Sequence, residues 1–236
     1  MKDNRSEITS KPFIQTLEDA VLYAKLASAI GNNNESALIA KTAILHCAFA
    51  VEALANNMIQ FLNIGSKLAS SIERMDVISK IEFFALVVTN KTIDRGSTSM
   101  QVISEFIKLR NSYVHPKIQK EKLIQNDNSK YDREKRKYNN LKINENFQKW
   151  TYEDSNYCIG KLVESVDDLL LETIGLEKCS LSCMFLDTME ISGAKGPIVP
   201  LRSDDDWASW LASEIGVTPR FYVDHVLKRY EDAVYD

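Results

Sequence analysis

The chain has 236 residues, 44% hydrophobic and 26% charged, enough for one sizeable domain, or a domain with an appendage, around a normal buried core. Eight glycines and five prolines are few turn formers for this length. Their scarcity favours long helices over many short strands, so the expected class is all-α. The net charge of −4 is unevenly spread: residues 117–149 hold ten Lys or Arg against five Asp or Glu, a local +5, and the remainder of the chain carries −9.

The opening Met1-Lys2-Asp3-Asn4-Arg5 is polar and lacks the pattern of a signal peptide. Thr16-Leu17-Glu18-Asp19 reads as a first helix start, with Leu17, Val21, Leu22, Leu26 and Ile30 at helical spacing and Gly31 closing it. The second helix, from Glu35 to about Leu62, has the longest periodic pattern. Its apolar residues cover more than one face, which predicts burial on several sides and a role as the spine of the domain. Among its polar exceptions, Glu52 and Asn56 are four apart and share a face. A third helix is expected from Lys67 to Thr89, with Ile72, Ile78, Ile81, Phe84, Leu86 and Val87 inside. A fourth runs from about Ser99 to Val114, where Pro116 stops it.

Residues 117–149 are polar, basic and Asn-rich, and Tyr131, Tyr138, Leu141 and Ile143 are too sparse there for a core. A mobile loop or a marginal charged helix is expected, either a solvated insertion or a phosphate-tracking arm. A fifth core helix follows, from Thr151 or Tyr152 to Ile174, ended by Gly175. In the last sixty residues, Met184 to Ile191 reads equally as strand or helix. Ser203 ahead of Asp204-Asp205-Asp206 caps a short helix bearing Trp207, Trp210 and Leu211, and Thr218-Pro219 caps a final one. The helical domain is thus expected over 14–175, with 117–149 as a charged insertion and 176–236 as an extension with two short helices. No apolar run reaches the ~18 residues of a membrane span, so a cytoplasmic, reduced protein without membrane contact is the expectation.

The stretch carrying chemistry is Leu109-Arg110-Asn111-Ser112-Tyr113-Val114-His115-Pro116. Arg holds and neutralises a phosphate, and His moves protons near neutral pH. On one ideal helix Arg110 and His115 stand about 140° apart. Pro116 relaxes that by pulling His115 out of helical geometry, and a second copy of the chain relaxes it further by bringing its own pair. Asn111 is four residues before His115 and is placed to orient its ring. His46, on the spine, reads as a core histidine, and His225 as a surface residue. Cys47 and Cys158 read as small core residues. Cys179 and Cys183 are a weak metal signal, and no metal ligand cluster or Gly-rich phosphate loop is expected.

An all-helical domain with a long helix pair, then a helix ending in Arg110-Asn111-Ser112-Tyr113-Val114-His115, then one more core helix, resembles the HEPN superfamily (higher eukaryotes and prokaryotes nucleotide-binding). The resemblance covers roughly residues 14–175. It implies a HEPN-like bundle built on a long antiparallel helix pair, and a metal-independent endoribonuclease without cofactor. By the resemblance, RNA is cleaved by 2′-hydroxyl attack in a cleft composed by a homodimer, within a toxin–antitoxin, abortive-infection or anti-phage defence system. Arg110 and His115 would be catalytic and assisted by Asn111. Glu52 or Asn56 would be the helper on an earlier helix. The basic insertion lies outside the family's common core but directly follows the motif, so it is expected to contact RNA, through Lys117, Lys120 and Lys122, or to shield the site. The alternative within the same family is a non-catalytic module that partners a nucleotidyltransferase or binds nucleotide; an antitoxin is the other expected partner.

Overall fold

A computed structural model describes residues 7–31, 33–116, 123–125, 131–133, 137–185, 187–190, 198–201 and 206–222. The fold is mostly helical, in keeping with the all-α expectation, with two small antiparallel sheets added. In chain order these elements are β1 (Glu7–Thr9), α1 (Pro12–Ile30), α2 (Asn34–Phe61), α3 (Ser66–Ile72), α4 (Val77–Thr89) and α5 (Thr98–Val114). There follow β2 (Leu123–Gln125), β3 (Tyr131–Arg133), α6 (Tyr152–Asp167), α7 (Lys178–Phe185), β4 (Asp187–Glu190), β5 (Ile198–Leu201) and α8 (Asp206–Trp210). One sheet has the order β1-β4-β5, with Ile8 opposite Met189; the other pairs β2 with β3, Ile124 opposite Asp132. The segment that reads as strand or helix in sequence is both: α7 runs to Phe185, and β4 begins at Asp187.

The antiparallel pair α1 and α2 forms the frame of the molecule, and its seam is made of small residues. Ala20, Ala24 and Ala27 of α1 and Ala40, Ala43, Ala48 and Ala50 of α2 are buried, with Phe13, Leu17, Ile44, Val51 and Leu54 around them. Alanine lets two helix backbones approach closely, and Ser36 Oγ donates to the Ala27 carbonyl across the join at 2.8 Å. Gly31 closes α1 at φ 83 and ψ −169, a conformation open essentially to glycine alone. Asn33 then caps α2, its side chain accepting from the Ser36 N–H at 2.8 Å.

This seam reverses part of the sequence expectation. Leu22, Leu26 and Ile30 are not on the core face of α1 but 53%, 45% and 41% exposed, and Leu38 of α2 is 65% exposed. The large apolar residues carry the periodicity signal, but the alanines fill the contact. The start of α1 also differs: Pro12 occupies the first turn, and Thr16 lies inside the helix, its hydroxyl bonded to the Pro12 carbonyl.

The single helix expected over 67–89 is broken in two. Asp76 accepts from the Ser79 N–H at 3.0 Å and its hydroxyl at 2.5 Å, a side-chain cap that starts α4 afresh. Leu86 and Val87, expected inside, are exposed on α4. α6 begins at the expected place, with a capping box between Thr151 and Asp154, and continues through a π-helical turn over 168–173 before Gly175. α2, α4, α5 and α6 close the core around Leu54, Met58, Phe84, Ile103, Phe106, Leu162 and Val166. By length and composition α2 is apolar enough to cross a membrane, contrary to the sequence expectation. Half of its apolar window is buried inside the protein, where it packs against α1, α4, α5 and α6.

The C-terminal region joins the same core. Phe221 is buried, and its ring lies 5.5 Å from that of Phe13 and 5.6 Å from that of Phe185. The buried Asp167 carboxylate fixes this approach by accepting from the N–H groups of Arg220 at 3.0 Å and Phe221 at 2.7 Å. A π-helical turn over 211–215 follows α8, and Ile215 packs on α6 at Gly160, where an added Cβ would stand 3.1 Å from it. Trp207 is buried against Tyr222, and Trp210 receives the Lys25 ammonium over its ring, so the tryptophans dock this segment. Ser203, the expected cap of this segment, lies outside the described residues, as does the helix expected after Pro219 beyond residue 222.

Candidate functional site

The motif falls on the last turn of α5, whose Ser97 cap and apolar face (Val102, Ile103, Phe106, Leu109) lock it against α2 and α6. Arg110 follows Leu109 and so points along the border of the core, toward α2. Its side chain is 33% exposed, and Nη2 meets Glu52 Oε2 of α2 at 3.0 Å. Nη1 donates to Asn111 Oδ1 at 3.0 Å. Nε is enclosed and has no acceptor among the described residues. The guanidinium is thus held from two sides among the described residues.

His115 lies at the C-cap, with φ −122 and ψ 67, and is exposed to solvent. The predicted departure from helical geometry before Pro116 is present. Its N–H donates to the Asn111 carbonyl at 3.0 Å. Among the described residues the Asn111 side chain partners Arg110 rather than the imidazole, so Asn111 positions the arginine and its backbone holds the histidine.

Of the two earlier-helix residues, Glu52 meets the motif directly. Asn56, one turn later on α2 and exposed, instead accepts from Lys80 Nζ of α4 at 2.8 Å. Lys80 itself is only 7% exposed. Sequence reading offered no signal for it, because a lysine inside an apolar helical run is ordinarily on the solvent side. The polar ledge of α2 therefore steadies two cations from two helices: Arg110 at Glu52 and Lys80 at Asn56.

The insertion is tied to the same helix by a second residue the sequence did not flag. Glu105 of α5 is 6% exposed and accepts from the N–H groups of Asn139, Asn140 and Leu141 at 2.9–3.1 Å, and from Asn140 Nδ2 at 3.0 Å. Leu141 and Ile143, expected to be too sparse for a core, are buried, and Trp150 closes over them with Nε1 donating to the Asn144 carbonyl. Phe147 meets Tyr113 edge-on at 5.3 Å. Tyr138 reaches Ser112, and burial pushes its phenol above the ordinary range while that hydrogen bond works against the shift. The far end of the insertion is thus an ordered clasp on α5 rather than a free loop. Lys117, Lys120 and Lys122 lie outside the described residues.

Exposed apolar side chains also lie at the motif. Phe49, one turn before Glu52, is 37% exposed, and Tyr113 and Val114 are 40% and 45% exposed. His46, half-buried between Tyr23 and Phe49, bonds the Thr42 carbonyl through Nδ1 at 2.9 Å and belongs to the packing of the helix pair. Cys47 and Cys158 are buried, and burial pushes both thiols well above their ordinary range. Among the described residues no three His, Cys, Asp or Glu side chains converge as a metal site.

An arginine fixed by a carboxylate and an amide is suited to hold a phosphodiester, and an exposed imidazole at the end of the same helix is suited to move protons. Compared with protein-family models, with curated proteins and with solved structures, the chain matches none.

Proposed function

We propose that the chain is a metal-independent endoribonuclease of HEPN type, acting as a homodimer with a composite site at the ends of two α5 helices. The observation that carries this reading is the setting of Arg110, braced by Glu52 and Asn111 on the helix whose last residue leads into an exposed His115. The long α1–α2 pair packed by α4, α5 and α6 supports the HEPN-like bundle, and the ordered clasp on Glu105 supports an insertion that stays beside the motif. Leu22, Leu26, Ile30 and Leu38, large and exposed on the helix pair, support a second copy as the missing cover. Four free cysteines fit a reducing cytoplasm, and a defence role with an antitoxin partner is the setting the reading suggests.

In this mechanism the RNA 2′-hydroxyl gives its proton to a base and attacks the adjacent phosphorus. The bond to the 5′-oxygen breaks, and an acid returns a proton to that oxygen. The ends formed are a 2′,3′-cyclic phosphate and a 5′-hydroxyl. His115 serves as base or acid, the partner's copy of the histidine taking the other role, and Arg110 stabilises the charge on the pentacoordinate phosphorus.

The Glu52 pairing also favours a second reading: a guanidinium already matched by a carboxylate suits a phosphate-binding module that partners a nucleotidyltransferase or holds a nucleotide without turnover. Cleavage of mixed RNAs in EDTA separates the two. Wild type is expected to cut, and His115→Ala and Arg110→Ala to lose about 10²-fold or more in rate. Intact RNA with wild type, or equal cutting by all three, rejects the nuclease reading; tight nucleotide binding without cutting selects the second.

A further inference from the structure

Lys80 is the most anomalous charge among the described residues. Lysine is almost never this buried unless paired with an anion, and here the buried stem carries the ammonium out to the exposed Asn56. Lys80 is 7% exposed, and its partner among the described residues is a neutral amide oxygen, Asn56 Oδ1 at 2.8 Å. A lysine ammonium only donates, so the Asn56 amide is fixed with its oxygen toward Lys80 and its nitrogen free to donate. The place thus offers donors and positive charge, with no matching anion among the described residues.

Its position gives that anion a chemical identity. Glu52 and Asn56 lie one turn apart on α2, about 6 Å along the helix axis. Glu52 holds Arg110 from α5, and Asn56 holds Lys80 from α4. The two cations therefore meet one polar ledge of α2, held by side chains one helical turn apart. We propose that Lys80 and Asn56 form a second phosphate subsite, which takes the backbone phosphate one nucleotide away from the phosphate at Arg110. This deepens the nuclease reading and rests on it for the placement of the reacting phosphate. The subsite itself requires only that a single strand bind along α2.

The test is binding of a short single-stranded 2′-O-methyl RNA, which lacks the attacking hydroxyl, to the full chain carrying His115→Ala. Fluorescence anisotropy is followed across a potassium chloride series. Adding Lys80→Met is expected to weaken binding about tenfold and to lower the salt slope by about 0.7, the amount for one phosphate contact on a single strand. Lys80→Arg is expected to retain most of the affinity. Asn56→Asp supplies the absent anion from within, so it is expected to raise the melting temperature while weakening RNA binding to a similar degree. A purely structural lysine predicts no loss of binding in Asn56→Asp. Unchanged affinity and slope in Lys80→Met, with its fold intact by circular dichroism, overturn the proposal. If Lys80→Met fails to fold, unchanged binding in Asn56→Asp overturns it. Lys80-dependent binding by a chain whose wild type never cuts RNA keeps this subsite and rejects the nuclease. Cutting that depends on His115 while binding ignores Lys80 does the reverse.

Discussion

Replacing Glu105 with alanine is expected to release the clasp of the insertion from α5. The carboxylate accepts from three successive backbone N–H groups, of Asn139, Asn140 and Leu141, and from the Asn140 amide, at 2.9–3.1 Å. A hydrogen bond to a charged acceptor is worth about 1.5–3 kcal/mol net when buried. Four donors share one carboxylate, and Asn139 and Asn140 lie at the edge of solvent, where water partly replaces the lost acceptor. The low end of the range sets a ceiling of about 6 kcal/mol for the four donors, and with water replacing part of the acceptor at Asn139 and Asn140 the expected loss is about 4 kcal/mol. Glu105→Gln keeps one oxygen but turns an amide nitrogen toward the N–H donors, so about 2 kcal/mol is expected. Urea unfolding followed by circular dichroism reads the total. Amide hydrogen exchange at 139–141 reads the locality, because opening of the clasp should raise exchange there before the rest of the protein unfolds. A Glu105→Ala protein within 1 kcal/mol of wild type, with unchanged protection at Leu141, refutes the reasoning.

Other outcomes follow from the same physics. Burial holds the Asp167 carboxyl above its ordinary value in spite of the Arg220 and Phe221 N–H groups and the Arg220 charge. Such a group favours the fold fully below its unfolded pKa, near 3.9, and this contribution is lost as pH rises through the folded value. The stability advantage of wild type over Asp167→Asn is therefore expected to shrink between pH 3.5 and pH 7, and an advantage that grows over this interval contradicts the assignment. Cys179 and Cys183 are exposed whereas Cys47 and Cys158 are buried, so a thiol reagent should titrate two groups quickly and the other two only on unfolding; a third fast thiol would show the core packing to be wrong. Leu26→Asp places a charge on the exposed face of α1, and sedimentation is expected to shift from dimer to monomer with the fold retained. A wild type already monomeric at tens of micromolar removes that face as the dimer contact.

The helical part of the fold was legible because turn formers are rare and because α2, α5 and α6 carry strong local signals: an unbroken apolar pattern, Pro116 as a stop, and Thr151 as a cap. Packing was less legible. Periodicity weighs large apolar side chains, so it picks out Leu22, Leu26 and Ile30, which are exposed, rather than the alanines that fill the seam. The break before α4 hinges on the Asp76 side chain, a cap that a continuous apolar pattern hides. Leu141 and Ile143 seemed too sparse to be buried because the partner that docks them, Glu105, is thirty-odd residues away and is itself a charge. At the motif, sequence brought out Arg110, Asn111, His115 and the helper face with Glu52. It did not bring out Lys80, since the burial of a lysine depends on helices that pack across α2.

The central claim is that His115 and Arg110 drive attack by a 2′-hydroxyl. The direct measurement is the chemistry of the ends left on a defined single-stranded RNA cut in EDTA. The account predicts 2′,3′-cyclic phosphate and 5′-hydroxyl ends, formed by wild type, lost with His115→Ala, and absent at any nucleotide carrying a 2′-O-methyl group. Fragments with 5′-phosphate ends, or cutting at a 2′-O-methyl nucleotide, would contradict it.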